Sequence, residues 1–223
     1  IRQIIAQAFR NTLGRMGITD SIRQPLDNIP QQFHLHRIRI DDIIETFIAE
    51  TGSATGAYEK LVEELTFTLF NRLAALKVME AHGLNRPIVT RSNQQGDRSF
   101  AHFLWLEQNP EGRDEEQEGL LRFMEEQLNT LSADIPLFSL QYPYHLLPTA
   151  IELRDIIDAF NAVEKDEQVE PDIWKSDDVL GWLYESYNNY KKAAHKDSKA
   201  KTEYDKVSIQ SQVYTPGWVV KFL

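Results

Sequence analysis

The feature that most constrains this chain is the apolar stripe between Ala57 and His82, where Leu61, Leu65, Leu69, Leu73 and Leu76 recur three or four residues apart. That spacing places them on one face of a helix. Val62, Phe70 and Ala74 widen the stripe beyond what a surface helix carries, so the helix is expected in the middle of a bundle. Gly83 follows as its C-terminal cap. A helix that is apolar over so much of its circumference needs others to cover it. Ile4, Ile5, Ala8, Phe9 and Leu13 predict one of them, loosened after Gly14 and Gly17. Residues 41–48 predict a short one, with Asp41 and Asp42 in its first turn, ended by Gly52 to Gly56. Leu120 to Leu131 and Ile151 to Val163 predict two more.

The intervening stretches read as connections. Thr19 to Gln32 carries Pro25 and Pro30, and Leu84 to Asp97 is polar and precedes the apolar segment Phe100–Leu106. Pro136, Pro143 and Pro148 punctuate an aromatic stretch (Phe138, Tyr142, Tyr144) that cannot be one long helix. Ser176 can cap a helix opening with Asp177 and Asp178, with Val179, Leu180, Leu183, Tyr184 and Tyr187 on its buried side. Lys191 to Lys206 is either the solvated end of that helix or a flexible linker. Ten glycines in 223 residues, with few alternating β-branched runs, agree with an all-α fold. The expected organisation is a helical subdomain over 1–106, an acidic loop over 107–118 and a second helical subdomain over 119–206, the two meeting near 107–118 or 132–150.

No run of about 18 apolar residues is present to span a membrane. The absence of cysteine excludes disulfides and thiolate metal sites and fits a reducing cytoplasm. A net charge of −10 argues on its face against nucleic acid, but its distribution does not. Residues 1–40 hold six Arg against two acids, and residues 191–223 hold seven Lys against three, so two basic ends flank an acidic body.

Several constellations have two readings. His34 and His36 near Asp41 and Asp42 suggest a metal, but no third placed ligand accompanies the histidines, and no metal site is expected. His34 to Ile40 alternates like a strand and also reads as a basic connector, in which Arg37 and Arg39 are candidate contacts to DNA phosphate. The run Arg113 to Glu118 has the acids of a nuclease but no strand-like frame to hold them, and reads as a solvated loop. Trp105, Trp174 and Trp182 read as core or domain-contact residues rather than base-stacking platforms. No phosphate-binding loop, nucleophile elbow or Cys/His dyad occurs.

The final twelve residues, Gln212 to Leu223, are the most informative for function. Thr215 can be an N-cap and Pro216 the first helical residue, followed by the apolar Val219, Val220, Phe222 and Leu223. Such a helix start can be a plain cap, or its free N–H groups can receive an anion, with Tyr214 packing beside a flat or sulfonium-bearing ligand. The Tyr-Thr-Pro, Val-Val, Phe-Leu pattern resembles the opening motif of amino-methylating DNA methyltransferases. Asp178 to Glu185 resembles the end of the helical domain in type I modification subunits. Phe70 to Glu80 resembles the long helix of the PglX group, the adenine-specific methyltransferases of BREX-type phage defence, and of large restriction-modification enzymes.

The resemblance implies S-adenosylmethionine as cofactor, bound mainly by a downstream α/β methyltransferase domain of which 207–223 is the start, with Tyr214, Thr215 and Pro216 as contacts. It also implies double-stranded DNA as partner, with Lys191, Lys192 and Lys196 as further phosphate candidates, and other defence-system subunits as possible companions. No Asn/Asp-Pro-Pro-Tyr/Phe catalytic motif occurs, since Asn109-Pro110 is followed by Glu111, so the chain alone is expected to be inactive. Two other readings stand beside this one: a helical protein- or DNA-interaction module without catalysis, and a restriction enzyme with a nuclease in the same polypeptide.

Overall fold

The computed structural model describes residues 1–170, 172–176, 178–181, 183 and 185. Two compact units are present, Ile1–Asp166 and a second beginning at Glu167. The first contains α1 (Arg2–Arg15), α2 (His34–Thr51), α3 (Ala54–Ala81), α4 (Phe100–Gln108), α5 (Leu120–Leu131) and α6 (Ala150–Val163). A two-residue antiparallel ladder joins β1 (Arg91–Ser92) to β2 (Arg98–Ser99), with Arg91 opposite Ser99. Apart from this ladder and a single bridge between Ile18 and Arg23, the described residues are helices, turns and loops, as expected of an all-α fold.

The wide stripe makes α3 the centre of this unit. Leu61, Leu65, Leu69, Leu73 and Leu76 are all buried, and Phe70 lies against Phe160 of α6 with ring centroids 5.5 Å apart. Helices α1 and α2 pack on α3, α6 touches both α1 and α3, and α5 joins α4 to α6. The start of α3 is fixed by Ser53, whose side chain accepts from the Gly56 N–H at 3.0 Å. The turn before it uses Gly52 at φ +72, where a side chain would be strained.

Helix α2 is longer than the sequence suggests. It begins at His34, so the stretch His34–Ile40 is neither strand nor connector but its first two turns. The buried stripe Ile40, Ile44, Phe47 faces α3, while Leu35 and Ile38, which gave the alternating look, point outward at 83% and 51% exposure. Asp41 and Asp42 therefore lie in the body of the helix, and no acid occupies its first turn.

Helix α6 opens with a reciprocal cap: the Glu152 N–H donates to the Thr149 hydroxyl at 3.3 Å and the Thr149 N–H to Glu152 at 3.1 Å. Glu152 also accepts from Arg15 and Asn11, each at 2.9 Å, so one carboxylate caps α6 and ties it to α1. Burial pushes its pKa up, but the bonds from Arg15, Asn11 and Thr149 overcome this and hold it at about 2.

The acidic stretch 107–118 is solvated only in part. Residues 113–116 are exposed, but Gly112 and Gly119 are buried over the indole of Trp105. A Cβ on Gly112 would lie 2.7 Å from that ring, and one on Gly119 2.9 Å from it. The indole N–H donates to Glu126 at 2.6 Å, the Arg122 guanidinium lies over the ring at 4.8 Å, and Trp105 is buried, a core residue as expected. Both stretches expected to separate two subdomains, 107–118 and 132–150, fall inside the first compact unit.

In the second unit Trp174 and Val179 are buried, and the Ser176 hydroxyl accepts from the Asp178 N–H at 3.3 Å. Leu180, expected on the buried side, is 47% exposed. Tyr184 and Tyr187 lie outside the described residues.

Two glycines separate backbone strain from close packing. Gly119 and Gly83 both sit at φ near +70, but only Gly119 has a neighbour within reach of a Cβ. Alanine at Gly83 is expected to cost about 1 kcal/mol and at Gly119 about 2–3 kcal/mol, the excess coming from Trp105. Urea denaturation midpoints measure both, and equal losses would mean that the Trp105 contact adds nothing.

Candidate functional site

Of the residues singled out for function, Tyr214, Thr215, Pro216, Lys191, Lys192 and Lys196 lie outside the described residues. Arg37 and Arg39 are on α2, and both turn inward. Arg37 is 4% exposed and donates to Asp41 at 2.9 Å and to the Met16 carbonyl at 2.7 Å. A phosphate could reach it only by breaking those bonds. Arg39 is half-buried, donates to the His145 carbonyl, and has its pKa lowered by burial. Of these two candidate phosphate contacts, Arg37 is the more enclosed, its guanidinium joining α2 to the end of α1. His34 bonds the Ile29 carbonyl at 2.9 Å, and His36, two residues on, leaves the helix on another side.

The polar residues that organise this unit were missed in the sequence because they sit inside the apolar stripe of α3. Arg72 is 1% exposed; it donates to the carbonyls of Leu137 (2.7 Å) and Ser139 (2.8 Å) and to His145 Nδ1 (2.7 Å). Since a guanidinium only donates, Nδ1 accepts, and the neutral imidazole carries its proton on Nε2. Burial lowers the Arg72 pKa to about 10. Burial, followed by the charges of Arg72 and Arg39, lowers that of His145 to about 4.

One and a half turns further along, Lys77 reaches Thr90 at 2.7 Å and pairs with Glu164. Glu80 then accepts three consecutive backbone N–H groups, from Ile88, Val89 and Thr90, at 2.7–2.9 Å. Asn161 of α6 holds the other side of this loop through the Val89 carbonyl and the Arg91 N–H. The signal available in the sequence was charge inside an apolar helix, a pattern that is costly unless partners are waiting.

The loop pinned by Glu80 leads into the ladder, and there three arginines gather around a small cavity. Arg91 (β1), Arg98 (β2) and Arg154 (α6) line it together with His102, Gln117 and Glu118. Arg98 makes a two-pronged pair with Glu118, which holds that carboxyl below its usual range while Glu118 raises the Arg98 pKa. Arg91 meets Asp158 at 2.5 Å. Arg154 donates to Gln117 at 2.9 Å and to Asp97 at 3.0 Å. The cavity, about 20 Å³, admits a water or two and excludes an adenosyl group.

The first unit is thus stitched by buried charges and carries basic side chains at a polar cavity. In sequence the chain is similar to adenine-specific methyltransferases. It is 26% identical over 181 residues to the adenine-specific methyltransferase BrxX of Escherichia coli O9:H4 (strain HS), covering 74% of this chain and 15% of that protein. It is 24% identical over 204 residues to the adenine-specific methyltransferase PglX of Lacticaseibacillus casei (strain Zhang), covering 79% of this chain and 16% of that protein. The resemblance to the PglX group is therefore supported by homology along most of the chain. The chain spans only about 15–16% of the length of these relatives. No profile of a known protein family matches it, and neither does any solved structure.

His145 gives a test in pH. Its folded pKa of about 4 lies below an unfolded value of about 6.5, so the unfolded chain takes up the proton first on acidification. This contribution is complete above pH ~6.5 and is lost as pH falls through about 4. His102, also lowered mainly by burial, acts in the same direction. The stability–pH curve of His145→Gln is expected to be flatter than wild type there, and identical slopes would show that the imidazole is not held neutral. Arg72→Met is expected to cost about 3 kcal/mol in urea denaturation, because two loop carbonyls and Nδ1 lose their donor.

Proposed function

We propose that this chain is the N-terminal helical part of an S-adenosylmethionine-dependent DNA adenine methyltransferase that marks host DNA in phage defence or restriction-modification. The observation that carries the reading is the similarity to BrxX and PglX over about three quarters of the chain. The Tyr214-Thr215-Pro216 stretch adds to it. In this reading the enzyme works in the cytoplasm on duplex DNA. The target adenine is turned out of the stack so that its exocyclic amine can receive the methyl group.

The work of this part is support and grip. The unit held together by Arg72, Lys77 and Glu80 is a stiff scaffold, and its cavity is too small for the cofactor. The cofactor is instead held by a downstream domain, with Tyr214, Thr215 and Pro216 closing the methionine side of the pocket. Lys191, Lys192 and Lys196 take DNA phosphates, whereas Arg37 is a structural residue. Because no Asn/Asp-Pro-Pro-Tyr/Phe motif lies within the 223 residues, the chain by itself does not methylate DNA.

A second reading, a helical interaction module, is favoured by the outward Leu35 and Ile38 on α2, which leave an apolar strip on an otherwise polar face. The two separate in an assay of unmethylated DNA with the full-length protein and cofactor. Methyl-adenine at a defined site is the expected result, and its absence with both substrates bound would favour the module. In that protein Thr215→Ala is expected to weaken cofactor binding by about 1 kcal/mol, the worth of a cap or one hydrogen bond. Calorimetric titration checks this, an unchanged affinity making Thr215 purely structural. Charge reversal at Lys191, Lys192 and Lys196 is expected to lower DNA affinity and flatten its salt dependence. An unaltered salt slope would remove that segment from the DNA contact.

A further inference from the structure

We infer that the point beside this cavity where Arg91 and Arg154 converge is a phosphate-binding site, occupied in the free protein by the carboxylate of Asp97. Nothing in the sequence resemblance assigns a role to these residues. If the ligand is a phosphate of the DNA backbone, the inference deepens the function proposed above and rests on it; the site itself rests on geometry alone.

Asp97 Oδ2 lies 3.0 Å from Arg154 and 3.6 Å from Arg91, so two guanidiniums from different elements converge on one point at the rim of the cavity. Paired guanidiniums around one oxygen are the arrangement that receives phosphate. The carboxylate filling it is 59% exposed and belongs to the tip of a hairpin, so it is an occupant that water and other anions can reach.

Left-handed backbone gathers around this oxygen. Non-glycine residues with positive φ in the described chain are Asp97, Gln117, Glu118 and Asp172; Gln117 and Glu118 line this cavity, and Asp97 meets two of the arginines that line it. Asp97 (φ +62) follows Gly96 (φ +62) in the turn of the ladder, and Gln117 (φ +50) presents its side chain to Arg154. An L residue with a side chain is disfavoured in that conformation, and strain of this kind gathers where a ligand position is being shaped. Here two strained residues, from two separate loops, provide the two partners of one arginine.

As it stands the cluster is nearly balanced, with Arg91, Arg98 and Arg154 set against Asp97, Asp158 and Glu118. Displacing Asp97 changes that. Arg98 keeps Glu118 and Arg91 keeps Asp158, but Arg154 loses its carboxylate partner and Arg91 the more distant of its two, so both can face a tetrahedral anion, with the Gln117 amide beside it. The site is therefore weak in the wild-type chain and competes with its own hairpin.

Asp97→Asn separates the charge from the turn, because asparagine tolerates the left-handed conformation as aspartate does. With the full 223-residue chain, thermal unfolding is followed against inorganic phosphate, and binding of a labelled DNA duplex is followed against salt. Asp97→Asn is expected to reach half its phosphate-induced Tm rise at roughly fivefold lower phosphate than wild type and to bind the duplex roughly fivefold tighter. Adding Arg154→Gln is expected to abolish both gains and to lower the salt slope by about one. A phosphate response in Asp97→Asn without DNA binding by any variant keeps the site and removes DNA as its ligand. DNA binding that neither substitution alters, with no phosphate response, overturns the site and leaves the methyltransferase reading intact.

Discussion

A guanidinium cannot leave water without partners, and Arg72, 1% exposed in the middle of α3, decides much of what surrounds it. Its donors require acceptors at fixed positions, and the chain supplies them by folding the proline-broken segment after α5 back onto α3. The carbonyls of Leu137 and Ser139 and the ring of His145 are the result. That segment has no regular structure of its own beyond a short turn at Pro136–Phe138, so the buried cation is what gives it a defined path. Arg39 of α2 donates to the His145 carbonyl from the other side, which brings α2 into the same joint.

The same logic repeats at the C-terminal end of α3. Lys77 and Glu80 capture residues 88–90, and Asn161 locks them to α6. These residues fall inside Phe70–Glu80, the stretch that carries the resemblance to the PglX group. Its charged positions serve architecture: each holds a loop against the central helix, and the second loop delivers Arg91 to the cavity shared with Arg98 and Arg154. A scaffold built this way places side chains at the surface with little freedom, which suits the proposed grip on DNA if that grip depends on geometry as well as charge.

Helices were legible wherever their apolar period was strong and their ends carried a breaker. The stripe of α3 and its Gly83 cap, the α5 segment Leu120–Leu131 and the capped α6 follow from that rule. Helix α2 was misjudged at its start because Leu35 and Ile38 are apolar and exposed, which gave its first turns a two-residue alternation. The stretch 107–118 looked like a solvated insertion because its acids outnumber everything else, yet Gly112 and Gly119 fold it over Trp105. Composition records the solvated residues of such a loop but not the two that pack.

What the sequence determined by itself was the helical class, the central place of α3, the breaks at glycine and proline, and a relationship to adenine-specific methyltransferases. What only the tertiary structure decided was the fate of each charge. Arg37 and Arg72 are consumed inside the unit, whereas Arg91 and Arg154 converge on Asp97 at its surface. Helical periodicity is a local property, written within a few turns of chain. Whether an arginine is a clamp or a binding group depends on acceptors brought from distant segments, as with Arg72 and Ser139 or Arg154 and Asp97, and only folding sets those distances.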